Sequence, residues 1–356
     1  MLNNKVIKSK DGKIEVRYDE VTHVCIAPSL YPLLQYLLLL DDGIIFHQTC
    51  YFVNEVIPEN VRKQLPCVYN NYFGKKFSQK VLRRLTKLRL RFFKYWDYPF
   101  LKSADIYALD IPYLSLCIGN RSYSSLSDAP NWLTLNMQKS SAEYLRQQKH
   151  SNSIIGRIQS LVFGNLFVHY LGDNQQCKAF YLTEENSSFI LKGKDVHVQS
   201  LASLYSKATE KKKQFIMGLF DISRNEIEFL NSRPNLFFSQ PLMNDCGLTE
   251  EEYVDVLTKI FHHYPSKSII IKTHPRDNFD YTKHFPEMIV FSKPINSQLL
   301  CLMEITPQKI ITVSSTAIEG FPETIECDYY GIIVHPKVEK YFGNNFKPKR
   351  KVNLIK

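Results

Sequence analysis

Three short runs rich in Ile, Val and Phe fall within residues 236–317, and a helix-length segment separates each from the next. They read LFFSQPLMND, SIIIKTHPRD and KIITVSSTAI, each apolar run ending on polar residues. That rhythm is the mark of βαβ units feeding a parallel sheet, because parallel neighbours need a long crossover and usually a helix. Between the first two runs, Thr249 and Glu252 form a capping box. Tyr253, Val254, Leu257, Ile260 and Phe261 give one apolar face, so a helix is expected over 249–262. In open sheets of this kind ligands bind beyond the carboxyl ends of the strands. Asp245, His274 and Ser314-Ser315-Thr316 stand at those ends.

At 356 residues the chain has room for two domains. Upstream, residues 5–18 alternate as a strand pair around Asp11-Gly12, THVCIA (22–27) reads as a buried strand and 31–36 as a short helix. Residues 37–40 read as a strand that stops at Asp41-Asp42-Gly43, and 104–111 and 179–184 as further strands. The Ser-rich stretch 121–131 reads as a loop. FSQKVLRRLTKLRLRFF (77–93) is a basic amphipathic helix, 154–170 is a second amphipathic stretch, and 207–223 reads as a helix leading to the central runs. The expected division is 1–185 as an amino-terminal domain with a long helical insertion, 186–340 as a carboxy-terminal domain, and 341–356 as a loosely held basic tail.

Charge and cysteine narrow the setting. The formal net charge of +10 suits an anionic substrate, an anionic membrane or a nucleic acid, and does not choose among them. Eight cysteines show no CxxC spacing, which favours reduced thiols in a cytoplasmic setting over zinc or a disulfide framework. The first residues lack a signal peptide's apolar core, and the run 33–40, interrupted by Gln35, is too short to span a bilayer. Any work at a membrane is then done from its surface.

Among the polar strand ends, His274-Pro275-Arg276 joins an imidazole to Lys272 and Arg276, a combination that meets a phosphate with charge and a proton. A capping or loop histidine is the bland reading of the same residues. Ser314-Ser315-Thr316 offers hydroxyls and amides at a helix start, where phosphates bind but where Ser and Thr also serve as ordinary caps. Asp245 is placed either to take a proton from a hydroxyl or to make the turn before Thr249. Asp41-Asp42 could hold a divalent metal or act as a base, but no further ligands lie near them in sequence. A metal site is therefore not expected.

In order and spacing, LLLLDDG, LFFSQPLMND, IIIKTHPRD and ITVSSTA resemble the bacterial sialyltransferases, and most of all the lipooligosaccharide and capsule group of glycosyltransferase family 52. The resemblance is densest over 236–317 and thin over 50–178. It implies a GT-B-like α/β fold, two Rossmann-type domains facing a central cleft, with 1–185 on the acceptor side and 186–340 binding the nucleotide sugar; because only 40 residues precede Asp41, either the amino-terminal domain is abbreviated or the start of the gene is missing. It further implies CMP-sialic acid as donor, a galactose-terminated glycan as acceptor, inversion at the anomeric carbon, and no cofactor or metal. His274 would touch the CMP phosphate and act as general acid, with Pro275, Arg276, Ser314, Ser315 and Thr316 in the nucleotide site. Asp245 matches the family's base, with Asp42 supporting it and Asp41 and Gly43 completing the acidic motif; sister families would place the base in that motif itself.

Three other readings stand beside this one. Another nucleotide sugar or polysialic acid synthesis would use the same motifs. A basic module binding membranes or nucleic acid would use 77–93 and lose affinity steeply with salt. An inactive remnant would bind CMP and transfer nothing. The transferase reading predicts no nucleic-acid partner and a place on the inner face of the cytoplasmic membrane, where the basic surplus meets anionic lipid.

Overall fold

The structure is a computed structural model that describes residues 5–70, 77–109, 115–127, 153–163, 176–184, 194–274, 276–293, 295, 297–342 and 350–355. The chain divides into two compact units, Met1–Asp221 and Ile222–Lys356.

The first unit opens with an antiparallel pair, β1 (Val6–Lys8) and β2 (Glu15–Arg17), turned at Gly12, whose φ of +72° suits a residue without a Cβ. Its main sheet has seven parallel strands in the order β5-β4-β3-β6-β7-β8-β9. These are β3 (His23–Ala27), β4 (Thr49–Asn54), β5 (Cys67–Asn70), β6 (Asp105–Ala108), β7 (Tyr123–Leu126), β8 (Cys177–Leu182) and β9 (Asp195–Val198). Val24, Ile26, Cys50, Phe52, Ile106, Ala108 and Phe180 pack on one side of it as a continuous core. The long segment from Cys50 to Lys178 builds much of this sheet: it holds β5, β6 and β7 whole, most of β4 and the start of β8.

Several expectations are corrected here. Residues 37–39 continue the Leu30–Leu39 helix instead of forming a strand. Leu33, Leu34, Tyr36, Leu37 and Leu38 are all buried, and a run apolar all round has no period to separate helix from strand. The Ser-rich stretch contains β7, a strand buried at every position, Ser124 and Ser125 included. The division falls at 221 and not at 185, because β9 pairs with β8 and extends the first sheet. The expected helix over 207–223 is two, Leu201–Lys207 and Glu210–Leu219, parted where Thr209 caps the second.

The Phe77–Asp97 helix forms as expected, with Leu82, Leu85, Phe92, Phe93 and Trp96 exposed among its arginines. One of its cations faces inward. Lys94 is buried and its Nζ donates to the Leu116 carbonyl at 2.8 Å. A Cβ at Gly119, which has a φ of +60°, would collide with that Nζ.

The second unit is a six-stranded parallel sheet in the order β12-β11-β10-β13-β14-β15. Its strands are β10 (Asn235–Phe238), β11 (Ile269–Lys272), β12 (Ile289–Phe291), β13 (Lys309–Thr312), β14 (Glu326–Tyr329) and β15 (Asn353–Leu354). Ile269, Ile270 and Ile271 have no exposed surface, as strands covered on both faces require. The Glu250–Phe261 helix carries the expected capping box and buries Tyr253, Val256, Leu257, Ile260 and Phe261. The carboxy-terminal tail is held where it is described. Arg350 is buried, its guanidinium donates to the carbonyls of Ile318, Phe321, Pro322 and Ile325, and β15 joins the sheet edge.

Candidate functional site

In the second sheet the strands are wound so that the order reverses between β10 and β13, and at such a switch point the loops part to leave a crevice. Register places the candidates there. Phe238 pairs with Lys272 on one side and with Thr312 on the other. Gln240, His274 and Ser314 each stand two residues beyond that row, in the loops that leave three adjacent strands.

His274 is fixed from two directions. Its backbone N–H donates to Ser239 Oγ at 2.9 Å, and its ring Nδ1 accepts the backbone N–H of Arg276 at 3.1 Å. With Nδ1 occupied as acceptor, the neutral ring carries its proton on Nε2. Burial first, then the positive charges of Arg276 and Lys272, push its pKa below the ordinary value, against the opposing charge of Asp245. Lys272, on the strand end just before, is itself buried; its Nζ donates to the Thr273 carbonyl at 2.7 Å, and burial lowers its pKa to about 8.

Asp245 lies in the short Leu242–Cys246 helix after β10, which ends at Gly247 in the left-handed conformation. Arg276 grips both its oxygens, at 2.8 and 3.0 Å, and Asn244 Nδ2 donates to the Arg276 carbonyl at 2.8 Å. Arg276 therefore touches the imidazole through its amide and the carboxylate through its guanidinium, and brings His274 and Asp245 into one cluster.

The hydroxyl pair divides its work. Ser314 is fully buried, and its Oγ donates to Gln240 Oε1. Ser315 caps the turn behind it, its Oγ accepting from the Ala317 amide at 3.2 Å. That turn, Thr316–Gly320, is five residues of 3-10 helix in place of the expected α-helix. Ser314 thus acts on Gln240, a residue that sequence reasoning missed and that stands at the switch point. Pro275 lies outside the described residues.

The acidic motif stands elsewhere. Asp41 precedes the Asp42–His47 helix, which leads into the start of β4. Because β4 runs parallel to β3, this is the amino-terminal edge of the first sheet, opposite the strand ends where ligands bind. Asp42 Oδ2 accepts from Thr209 Oγ1 at 2.7 Å, and its Oδ1 lies 3.4 Å from the buried Lys212 Nζ. Asp41 and Gly43 are exposed beside it. The supporting role expected of Asp42 assumed a strand end; the continuation of the helix through Leu39 removes that premise.

Chemically, the second unit's edge offers an imidazole N–H at His274 Nε2, two neighbouring cations and a carboxylate within the same cluster. Such a set suits departure of an anionic group that needs a proton. A cavity of about 520 Å³ lies along the far half of the Glu250–Phe261 helix, lined by Val256, Ile260, His262, His263, Tyr330 and Val334. It belongs to the other end of that helix from Thr249 and gathers no comparable set.

Comparison with known proteins bears on both fold and family. The profile of glycosyltransferase family 52 matches residues 134–338. An uncharacterized protein of Haemophilus influenzae is 34% identical over 174 residues, 49% of this chain and 56% of that protein. The match thus spans about half the length of that relative. Among solved structures, the α/β-galactoside α-2,3-sialyltransferase of Photobacterium phosphoreum aligns with a TM-score of 0.52 at 12% identity, over 93% of this chain and 98% of that one. The 2,6-sialyltransferase of Photobacterium sp. JT-ISH-224, solved with the donor product CMP and the acceptor substrate lactose, aligns with a TM-score of 0.53 at 10% identity, over 86% and 71%. At such identities the likeness is one of fold: two parallel α/β sheets of the GT-B kind.

Proposed function

This chain belongs to glycosyltransferase family 52, and we propose that it transfers sialic acid from CMP-sialic acid to a terminal galactoside of a cell-surface glycan, lipooligosaccharide or capsule. Inversion at the anomeric carbon and independence of metal are part of the proposal. The observation that carries it is the fixed tautomer of His274, whose Nε2–H stands beside Arg276 and Lys272 at the switch-point edge.

In this reading the donor phosphate meets Arg276 and the imidazole, and the arriving negative charge raises the affinity of His274 for a proton. The ring takes up that proton at Nδ1, giving up the Arg276 amide, and the imidazolium so formed donates from Nε2 to the phosphate oxygen as the bond to the sugar breaks. A phosphate that draws the Arg276 guanidinium away frees an oxygen of Asp245, which takes the proton of the acceptor hydroxyl. Gln240, oriented by Ser314, is placed to meet the nucleotide. Asp245 is preferred to Asp42 as base because it shares a cluster with His274, whereas Asp42 is tied to Thr209 and Lys212.

The test is to incubate the purified chain with CMP-sialic acid and a panel of galactosides, with other nucleotide sugars as parallel donors, and follow nucleotide release. Release from CMP-sialic acid that depends on a galactoside supports the reading; release from a different donor alone would replace it.

The proposal includes peripheral attachment to the inner face of the cytoplasmic membrane. The exposed Leu82, Leu85, Phe92, Phe93 and Trp96 among Arg84, Arg89 and Arg91 support it, as do Ile154, Ile155, Ile158 and Leu161, exposed on the Ile154–Phe163 helix. Among the described residues no helix is long and apolar enough to cross a membrane. Cosedimentation with anionic vesicles, weakened by salt and by Trp96→Glu, is expected; equal recovery with neutral and anionic vesicles would count against attachment.

A further inference from the structure

Behind His274 runs a hydrogen-bonded chain that the transfer chemistry does not use. Ser239 Oγ, which accepts the His274 amide, donates to Oδ2 of Asp277. The same Oδ2 meets the Tyr281 hydroxyl at 2.8 Å, that hydroxyl meets the Tyr253 hydroxyl at 2.8 Å, and Tyr253 lies 2.9 Å from the Gln240 carbonyl. Gln240 in turn receives the hydroxyl of Ser314. One chain therefore links the loops beyond β10, β11 and β13.

Its protons can be counted. A carbonyl oxygen only accepts, so the single proton of Tyr253 belongs on Gln240. The contact between the tyrosines must then use the proton of Tyr281, and the contact between Tyr281 and Asp277 needs a proton that only Asp277 can supply. Were the carboxyl ionised, one of these three contacts would set two buried oxygens together with no hydrogen between them.

The surroundings agree. The groups facing Asp277 are Ser239 from the loop after β10, Tyr253 from the Glu250–Phe261 helix, and Tyr281 with the Phe279 amide from its own segment. The nearby Arg276 is turned to Asp245. Burial raises the pKa of Asp277, and its hydrogen bonds with Ser239, Tyr281, the Phe279 amide and Tyr253 offset that only in part.

We infer that Asp277 is a positioning residue that rests as the neutral acid, its proton setting the direction of a chain that holds the His274 backbone and the Gln240–Ser314 pair in place. Loss of that proton breaks one link, so the arrangement is complete below the ionisation of Asp277 and loosened above it.

The test uses the full chain with 13C-labelled aspartate, its carboxyl signals followed by NMR from about pH 3 to about pH 9. The Asp277 signal is assigned by its absence in Asp277→Asn. It is expected to stay protonated after the surface aspartates have ionised. In Tyr253→Phe, which relieves Tyr281 of donating to Tyr253, ionisation is expected at about tenfold higher proton concentration. A signal that titrates with the surface aspartates, or one that Tyr253→Phe leaves unmoved, overturns the inference. Should Tyr253→Phe fail to fold, Asp277→Asn is set against Asp277→Ala: the amide keeps a donor towards Tyr281, so it should retain about tenfold more kcat at similar KM. Equal losses overturn the inference. The kinetic arm rests on the proposed transfer reaction and the titration does not; late ionisation of Asp277 in a chain that transfers nothing supports the inference and faults the reaction.

Discussion

The two sheets obey one winding rule but spend their charge at opposite ends. In the second, His274, Arg276 and Asp245 gather at the carboxyl edge, where parting loops leave room for a ligand. In the first, Asp41 and Asp42 sit at the amino-terminal edge, where Asp42 is tied to Thr209 and Lys212. Identical residue types, carboxylate beside cation, thus serve the reaction we propose in one place and attachment in the other. What separates them is the direction of the strand beside them.

Four measurements put that contrast at risk. The largest effect is expected at His274. His274→Ala should lower transfer by a factor of about 10²–10⁴ with the melting temperature little changed, and a variant with near-normal turnover would remove the second sheet's edge from the chemistry. Next comes Arg350, a buried cation used only for holding. Arg350→Ala removes the guanidinium from the carbonyls of Ile318, Phe321, Pro322 and Ile325, of which Ile318 and Pro322 keep a backbone donor, and should cost about 3 kcal/mol in urea unfolding. A cost below about 1 kcal/mol would mean that water replaces the guanidinium.

Smaller still is Asp42→Asn, expected to lower stability by about 1–2 kcal/mol through the loss of charge opposite Lys212, with transfer largely kept. A loss of transfer at unchanged stability would instead make Asp42 a reactive group and erase the contrast. The smallest effect is a pH dependence. Because the folded chain holds His274 below its ordinary pKa, the unfolded chain takes up a proton first as pH falls. The stability contributed by the neutral ring is present above about pH 6.5 and lost as pH drops through the folded value. His274→Gln should flatten that slope in unfolding curves recorded across the acid range.

Much of the fold could be read before the structure, because strands buried on both faces appear as uniform apolar runs and the Thr249–Glu252 box marks a helix start without tertiary help. The convergence of His274, Asp245 and Ser314 came from placing each at a strand end. The failures share one cause, an interaction partner distant in sequence. β7 is a strand because neighbouring strands enclose it, although half of its residues are serine. Asp42 changes edge because Leu37 to Leu39 continue a helix. Ser239, Gln240, Tyr253, Tyr281 and Asp277 carry no local signal at all, since each matters only through a hydroxyl or carbonyl that another loop brings to it.

The inward-facing Lys94 has a consequence for everything its helix presents to the outside. A rod whose inner face seats Lys94 against a carbonyl and Leu90 in the core resists rolling about its long axis, so the azimuth of Phe93 and Trp96 is decided beneath the surface. Position 119 guards that seat. A methyl group there would meet the Lys94 ammonium and displace it from the Leu116 carbonyl.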